Sequence, residues 1–200
     1  ILKKDEDNFL ILVADVSGKG LSASLYMSQI AAIIKIISGL EKSVKNILIK
    51  LNERLIETLE KKYFVTMSIA SVNTKTREIT LCRAGHLQII EISKEGEIKL
   101  HRPGGIGLGL NGGDIFKESL EEVKIKADSG SVFAFFTDGI TEAANEEDVL
   151  FGIQTASEVL SQCRNSSSEE IVNRLIASVE HFRGGREQSD DITSVILKFS

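Results

Sequence analysis

The feature that most constrains this chain is an apolar run from Phe9 to Val16 that carries one acid near its end, Asp15, and then enters a turn with Gly18 and Gly20. A run this apolar predicts a strand in the middle of a sheet that is covered on both faces. An ionised carboxylate at the end of such a strand is costly unless something cationic meets it. Asp15 is therefore a candidate site residue.

Two other strand-like runs carry acids at their ends. The apolar run 132–136 leads through Thr137 into Asp138-Gly139, and Asp190-Asp191 directly precedes the run 192–197. Three acidic strand ends predict one oxygen-lined metal site assembled from distant parts of the chain. The alternative is that each acid caps a turn, because Asp followed by Gly is common in turns.

The residue types also indicate which ion and which reaction to expect. Carboxylates without nearby His or Cys partners favour Mg²⁺ or Mn²⁺ over zinc. A pair of such ions activates water near neutral pH and neutralises the charge that develops on a phosphoryl group. Phosphate ester hydrolysis is therefore the reaction class that these acids favour.

Composition and length exclude several classes of protein. A chain of 200 residues predicts a single domain, 1–200, and a net charge of −5 argues against nucleic acid as the main partner. The longest apolar run, near 30–37, is interrupted by Lys35 and is shorter than the roughly 18 residues that span a bilayer, so we expect no membrane insertion. Cys82 and Cys163 have neither metal-ligand nor disulfide spacing and are expected to be core residues in a reducing cytoplasm.

The hydrophobic pattern predicts alternating groups of strands and helices. The segment from Asp5 to Asn8 is the expected turn of a first hairpin, and residues 103–113 form an expected glycine-rich loop. The first helix is expected to end at Gly39, and the last helix to begin with the signal from Ser166 to Glu169. This order favours an α+β fold, a β-sandwich of two antiparallel sheets flanked by helices. Helices are expected at about 22–37, 43–61, 152–163 and 168–182, and strands at about 1–4, 9–15, 64–72, 78–83, 87–92, 98–100, 119–126, 131–137 and 192–197.

Five motifs occur along the chain in a fixed order and cover essentially its whole length. Together they resemble the SpoIIE/RsbU-type serine/threonine phosphatases, the bacterial branch of the metal-dependent PPM phosphatases. The motifs are Asp15-Val-Ser-Gly-Lys-Gly20 followed by Ala23, Ala84-Gly-His86, Gly105-Ile-Gly-Leu-Gly109, Phe136-Thr-Asp-Gly-Ile-Thr-Glu142 and Ser189-Asp-Asp-Ile-Thr193.

The resemblance implies a ligand set for two Mn²⁺ or Mg²⁺ ions. Asp15 corresponds to the acid that bridges both ions, and the backbone carbonyl of Val16 to a ligand of the second. Asp138 corresponds to a ligand of the first ion and Asp190 to the remaining ligand, while Asp191 resembles a supporting neighbour. The same resemblance implies a β-sandwich of two antiparallel sheets flanked by helices.

The resemblance also implies a cellular role. The substrate would be phosphoserine or phosphothreonine on a STAS-type regulatory protein, typically an anti-sigma-factor antagonist, in the bacterial cytoplasm. An upstream sensory or response-regulator domain would precede this chain in the full-length protein. The helices at 22–61 correspond to elements associated with switching and dimer contacts, which makes a homodimer a candidate assembly.

The sequence departs from the family pattern at two places. The chain begins at Ile1 rather than Met, and we expect it to lack an extreme N-terminal segment that normally supplies an acid associated with the metals. Lys19 lies where His is frequent in the family. Two alternatives stay open: a catalytically weak or inactive signalling module that binds a partner or dimerises, and a hydrolase of small phosphoesters with a deep pocket.

The histidines are expected to be structural rather than catalytic. His86, in Ala-Gly-His between two strands, is interpreted as a turn residue whose ring ties down backbone. His101 and His181 have no chemical partners nearby in the sequence and are expected at the surface.

Overall fold

The computed structural model describes residues 1–199, and their contacts divide them into two compact units. Unit 1 comprises Ile1–His86 and Arg102–Lys126, and unit 2 comprises Leu87–His101 and the chain from Ala127 onward. Each unit contains one antiparallel sheet and flanking helices, so the predicted α+β class with two antiparallel sheets is confirmed.

The elements follow the predicted order closely. The strands are β1 (Leu2–Lys3), β2 (Asn8–Val16), β3 (Val65–Asn73), β4 (Glu78–Ala84), β5 (Ile89–Ile92), β6 (Ile98–His101), β7 (Glu122–Lys126), β8 (Val132–Phe136) and β9 (Ser194–Lys198). The helices are α1 (Leu21–Leu40), α2 (Val44–Thr58), α3 (Gly113–Ser119), α4 (Asp138–Thr141), α5 (Gly152–Cys163) and α6 (Ser168–Arg183).

The sheet of unit 1 has the strand order β1-β2-β3-β4-β7. Strand β2 lies between two neighbours and is covered on both faces, as its apolar sequence predicts. Leu10 and Val16 pack in the core that α1 and α2 cover, while Ile11 and Val13 are buried on the opposite face. Asp15 alternates with Val16 and therefore lies on the face away from the two helices.

Helix α1 runs past its predicted end. Gly39 was expected to stop it, but the helix continues to Leu40, and the amide of Glu41 still donates to the carbonyl of Ile37 at 2.9 Å. Gly39 is not among the glycines with positive φ, so it does not form the left-handed cap that the prediction assumed. Helix α2 begins as expected at Ser43, whose hydroxyl accepts from the Asn46 amide at 3.2 Å.

Helix α1 is also long and apolar enough, by length and composition, to cross a membrane. Its best 18-residue window has a mean hydropathy of 1.4, and 17% of that window is buried. Mostly buried core helices of soluble proteins and signal sequences near an N-terminus pass the same test. In this helix, Ile30 and Ile34 pack into the core of unit 1. The expectation of no membrane insertion stays a prediction.

The sheet of unit 2 has the strand order β6-β5-β8-β9, and all residues of β8 are buried. Its core is formed with α5 and α6, where Phe136, Leu160 and Leu175 pack together in one cluster. Strand β9 pairs with β8 in a register that places Ser194 opposite Phe136. The chain on either side of this last pair carries the acids of the predicted site.

Two predictions about secondary structure and exposure were wrong. Helix α3 was not expected, because its seven residues, anchored by the buried Phe116, are too few to show a helical period. His101 was expected at the surface, but it is 7% exposed and its Nε2 lies 2.6 Å from Glu91 Oε2. The pattern missed it because Glu91 is on the neighbouring strand. His181 is exposed, as predicted.

Both cysteines are free and buried, as their lack of partner spacing predicts. Burial raises the pKa of the Cys82 thiol to about 11 and also raises the pKa of the Cys163 thiol. Both thiols are therefore protonated near neutral pH and act as small apolar side chains.

Helix α6 begins at Ser168, as predicted, but its cap lies one residue later than the expected Ser166. Its cap is Ser167, whose hydroxyl accepts from the Glu170 amide at 3.2 Å, while the Glu170 carboxylate accepts from the Ser167 amide at 2.9 Å. This reciprocal pair is a capping box. The bond from the Ser167 amide lowers the pKa of Glu170, so the stabilisation is present at neutral pH and is lost as the pH falls through that lowered pKa.

Replacing Ser167 with Ala is expected to lower the free energy of unfolding by about 1 kcal/mol, because it removes one of the two capping bonds. Urea unfolding at pH 7 measures the change, and the melting temperature should fall by about 2–4 °C. Ser166→Ala is the matched control, since the Ser166 side chain makes no hydrogen bond among residues 1–199. Equal losses in the two variants would contradict the assignment of the cap.

Candidate metal centre

The acid Asp138 lies where buried strand β8 leaves its sheet. Strand β8 ends at Phe136, the Thr137 amide donates to the Thr193 carbonyl at 3.1 Å, and α4 begins at Asp138. Asp138 is half-buried, and its carbonyl accepts from the Glu142 amide at 2.7 Å. The short helix thus fixes the backbone of Asp138 directly after a rigid strand.

The Thr137 side chain ties a second acidic segment to this point. Its hydroxyl donates to the carbonyl of Asp191 at 3.0 Å and accepts from the amide of Thr193 at 3.0 Å. Thr137 is 4% exposed, and both of its bonds are partly buried. The sequence analysis did not predict a role for Thr137. The feature that could have indicated one is a hydroxyl residue placed between an apolar strand and an acid.

Gly139 allows the two segments to approach closely. A Cβ atom placed on Gly139 would lie 2.4 Å from the Asp191 carbonyl oxygen and 3.2 Å from that of Asp190. These distances leave no room for any side chain, so the Asp-Gly pair serves backbone contact as well as the turn. Unit 2 therefore brings together the segments of Asp138 and Asp190, which are 52 positions apart in the sequence.

The two adjacent acids of this turn are placed differently. Asp190 is half-buried, its carbonyl accepts from the Gln188 side-chain amide at 2.8 Å, and its Oδ1 accepts from the Asp191 amide at 2.8 Å. Asp191 is exposed and contributes its carbonyl to Thr137. This difference agrees with Asp190 as a ligand and Asp191 as a supporting neighbour, an assignment that stays a prediction.

The other two predicted site residues, Asp15 and Val16, belong to unit 1. Asp15 is half-buried near the end of β2, directly opposite Thr66 on β3. The Val16 side chain is buried in the core under α1 and α2, so its backbone alone is available to a ligand. Lys19, in the turn that follows, is exposed.

The ring of His86 contacts strand β3, at the residue opposite Asp15. It is buried, and its Nδ1 lies 2.8 Å from the Thr66 hydroxyl. The backbone is tied down by Arg83 instead, whose guanidinium donates to the carbonyls of His86 at 2.5 Å and Pro103 at 2.9 Å. The structural role expected for His86 is thus present, but its ring bonds a side chain.

The donors in unit 2 match a hard cation. Within residues 1–199, no group of three or more His, Cys, Asp or Glu side chains is arranged to hold a metal ion. Asp138 and Asp190, on adjoining segments, offer carboxylate oxygens, which are the ligands that Mg²⁺ and Mn²⁺ prefer. These two residues therefore fit part of a divalent-cation site.

Comparison with known proteins gives consistent results. The chain is 25% identical over 196 residues to the phosphoserine phosphatase RsbU of Bacillus subtilis (strain 168), a match that covers 98% of this chain and 57% of RsbU. Its structure resembles the PP2C domain of SiaA from Pseudomonas aeruginosa, with a TM-score of 0.87 and 19% identity over 100% of this chain and 79% of that one. It also resembles the phosphatase-domain structure of SpoIIE from Bacillus subtilis, with a TM-score of 0.80 and 16% identity over 95% of this chain and 54% of that one.

The chain spans between a third and three fifths of the length of the curated relatives it matches. The model of the family Stage II sporulation protein E (SpoIIE) matches residues 5–200. The five ordered motifs, the two antiparallel sheets and this match over nearly the whole sequence agree, and the chain belongs to the SpoIIE family.

Proposed function

We propose that this chain is a metal-dependent phosphatase that hydrolyses phosphoserine or phosphothreonine on a regulatory protein in bacterial signalling. The observation that supports this most directly is the turn held by Thr137, which places Asp190 against the Asp138-Gly139 backbone. Membership of the SpoIIE family and similarity to the phosphoserine phosphatase RsbU favour the same reaction. The proposed substrate is a STAS-type anti-sigma-factor antagonist.

The proposed ligands of two Mn²⁺ or Mg²⁺ ions are Asp15, Asp138, Asp190 and the Val16 carbonyl. When bound, such ions supply a nucleophilic water at neutral pH and neutralise charge on the phosphoryl oxygens. The task of the protein is then to hold carboxylates in fixed positions against their mutual repulsion. Thr137 and Gly139 perform that task for the acids of unit 2.

We further propose that residues 1–200 act as one phosphatase domain in the cytoplasm, downstream of a sensory or response-regulator domain. The substrate proposed above is itself a cytoplasmic signalling protein. The family model supports the single domain because it spans sequence from both units.

A homodimer through α1 is also proposed. Four large apolar side chains of this helix, Leu21, Leu25, Ile36 and Leu40, are between 62% and 82% exposed. The core of unit 1 is already filled by the opposite side of the helix, through Ile30 and Ile34. Apolar area beyond the needs of the core is typical of an interaction surface.

Replacing Asp138 with Asn is expected to lower Mn²⁺-dependent turnover by about 100-fold or more, because it removes a proposed ligand charge while keeping the side-chain shape. Phosphate release from a phosphoserine peptide and from p-nitrophenyl phosphate measures the effect. Asp128→Asn is the matched control, since Asp128 is an exposed acid of the same unit outside the proposed site.

Two outcomes would decide between this proposal and its alternative. Near-normal turnover in Asp138→Asn would refute the assignment of that acid. A chain that neither binds Mn²⁺ by calorimetry nor releases phosphate would instead be a signalling module that binds a partner or dimerises.

Asp190 and Asp191 are expected to respond differently to substitution. Asp190→Asn should weaken Mn²⁺ binding by about tenfold or more, whereas Asp191→Asn should keep most of it, because Asp191 contributes its backbone to Thr137. Isothermal titration with Mn²⁺ compares the two variants. The reverse order would assign the ligand to Asp191.

The double substitution Leu25→Gln, Ile36→Gln is expected to weaken self-association without unfolding the chain, because both side chains are exposed. Sedimentation velocity over a range of protein concentrations measures the effect. A wild-type chain that stays monomeric at the highest concentration would rule out a dimer of this domain alone.

A further inference from the structure

A loop closed by backbone hydrogen bonds follows α4 at residues 143–151. The Asn145 amide donates to the Val149 carbonyl at 3.0 Å, and the Phe151 amide donates to the Ala143 carbonyl at 2.8 Å. The Asn145 side-chain oxygen accepts from the Val149 amide at 2.9 Å, and Asp148 adopts a left-handed φ of 61°. These bonds define the position of Asp148 although its side chain is exposed.

Arg186 joins this loop to the segment that carries Asp190. Its Nη1 donates to Asp148 Oδ1 at 2.5 Å and to the Asn145 carbonyl at 2.8 Å. The neighbouring glycines also lie against the loop, since a Cβ on Gly185 would be 3.6 Å from Glu146 Oε1. Arg186 is thus held at two points by a loop more than 35 positions earlier in the sequence.

The segment needs such an anchor because of its composition. Helix α6 ends at Arg183, and Gly184 and Gly185, which follow, give the backbone wide freedom. The Gln188 side-chain amide donates to the Asp190 carbonyl at 2.8 Å, a bond within the segment that does not attach it to another element. Arg186 therefore shortens the free length of chain between the end of α6 and Asp190.

We propose that Arg186 is a positioning residue, which orders the turn of Asp190 through Asp148 and the Asn145 carbonyl so that this carboxylate is ready to bind a divalent cation. The cation itself rests on the function proposed above, whereas the ordering of the turn does not. Arg186 is not one of the proposed ligands, and in this proposal it acts through the backbone of residues 187–190.

The size of the effect is bounded by exposure. The side chains of Arg186 and Asp148 are 43% and 81% exposed, and exposed ion pairs change an equilibrium by up to about fivefold. Loss of residues that orient a ligand typically weakens metal binding by about 10- to 100-fold. Because the pair is exposed, the expected effect lies below this range, at up to about fivefold.

The test compares Arg186→Ala, Arg186→Lys and the control Arg174→Ala. Arg174 is an exposed arginine of α6 that makes no hydrogen bond or ion pair within the described part of the chain. In metal-free protein, hydrogen exchange of the segment 184–191 should become about fivefold faster in Arg186→Ala, while 194–198, in β9, is unchanged. The Mn²⁺ dissociation constant should rise up to about fivefold, with Arg186→Lys between wild type and Arg186→Ala.

A double-mutant cycle with Asp148→Asn separates a specific contact from general destabilisation. If the two residues act through one bond, the effects of Arg186→Ala and Asp148→Asn on exchange and on Mn²⁺ affinity are less than additive. Additive effects, or unchanged exchange at 184–191 in Arg186→Ala, would overturn the proposal even in an active enzyme. Failure of wild type to bind Mn²⁺ would overturn the proposed function and the metal role of Arg186, and the exchange data would still decide the ordering role.

Discussion

The acidic turn of unit 2 depends on the two hydrogen bonds of the Thr137 hydroxyl. One bond holds the Asp191 carbonyl and the other the Thr193 amide, so the last residue before β9 is fixed to the first residue after β8. The register of the β8–β9 pair is set by the same contact, and a slip of one residue would reverse the faces of β9. The position of the Asp190 segment and the pairing of β8 with β9 therefore depend on the same two hydrogen bonds.

Much of this arrangement was predictable because burial leaves a clear pattern in the sequence. The apolar strands β2 and β8 show as runs, and an acid near the end of each run marks the end of the strand. The errors arose where the deciding contact is distant or the element is short. Gly39 has no left-handed geometry, α3 has seven residues, and His101 meets Glu91 on another strand. None of these three features produces a hydrophobic period that can be read from a single sequence.

The residues that position the acids were harder to find than the acids. Thr137 bonds a residue 54 positions away, and Arg186 reaches Asp148 across 38 positions. A threonine or an exposed arginine is common in any sequence, so only the folded contact distinguishes it. The acids, by contrast, stand out because an ionised group beside a buried strand is costly without compensation. A sequence thus predicts candidate ligands more readily than the residues that hold them in position.

The two supports differ in the environment of their bonds, and this difference fits their separate tasks. The Thr137 side chain is 4% exposed, and loss of its hydroxyl removes two partly buried hydrogen bonds, each of which contributes about 0.5–1.5 kcal/mol. Arg186 is substantially exposed, so salt and water weaken its bond to Asp148. Loss of the buried contact disturbs the strand pair, whereas loss of the exposed one frees only the segment before Asp190. The strand pair and the segment before Asp190 are therefore attached to unit 2 by different bonds, one partly buried and one exposed.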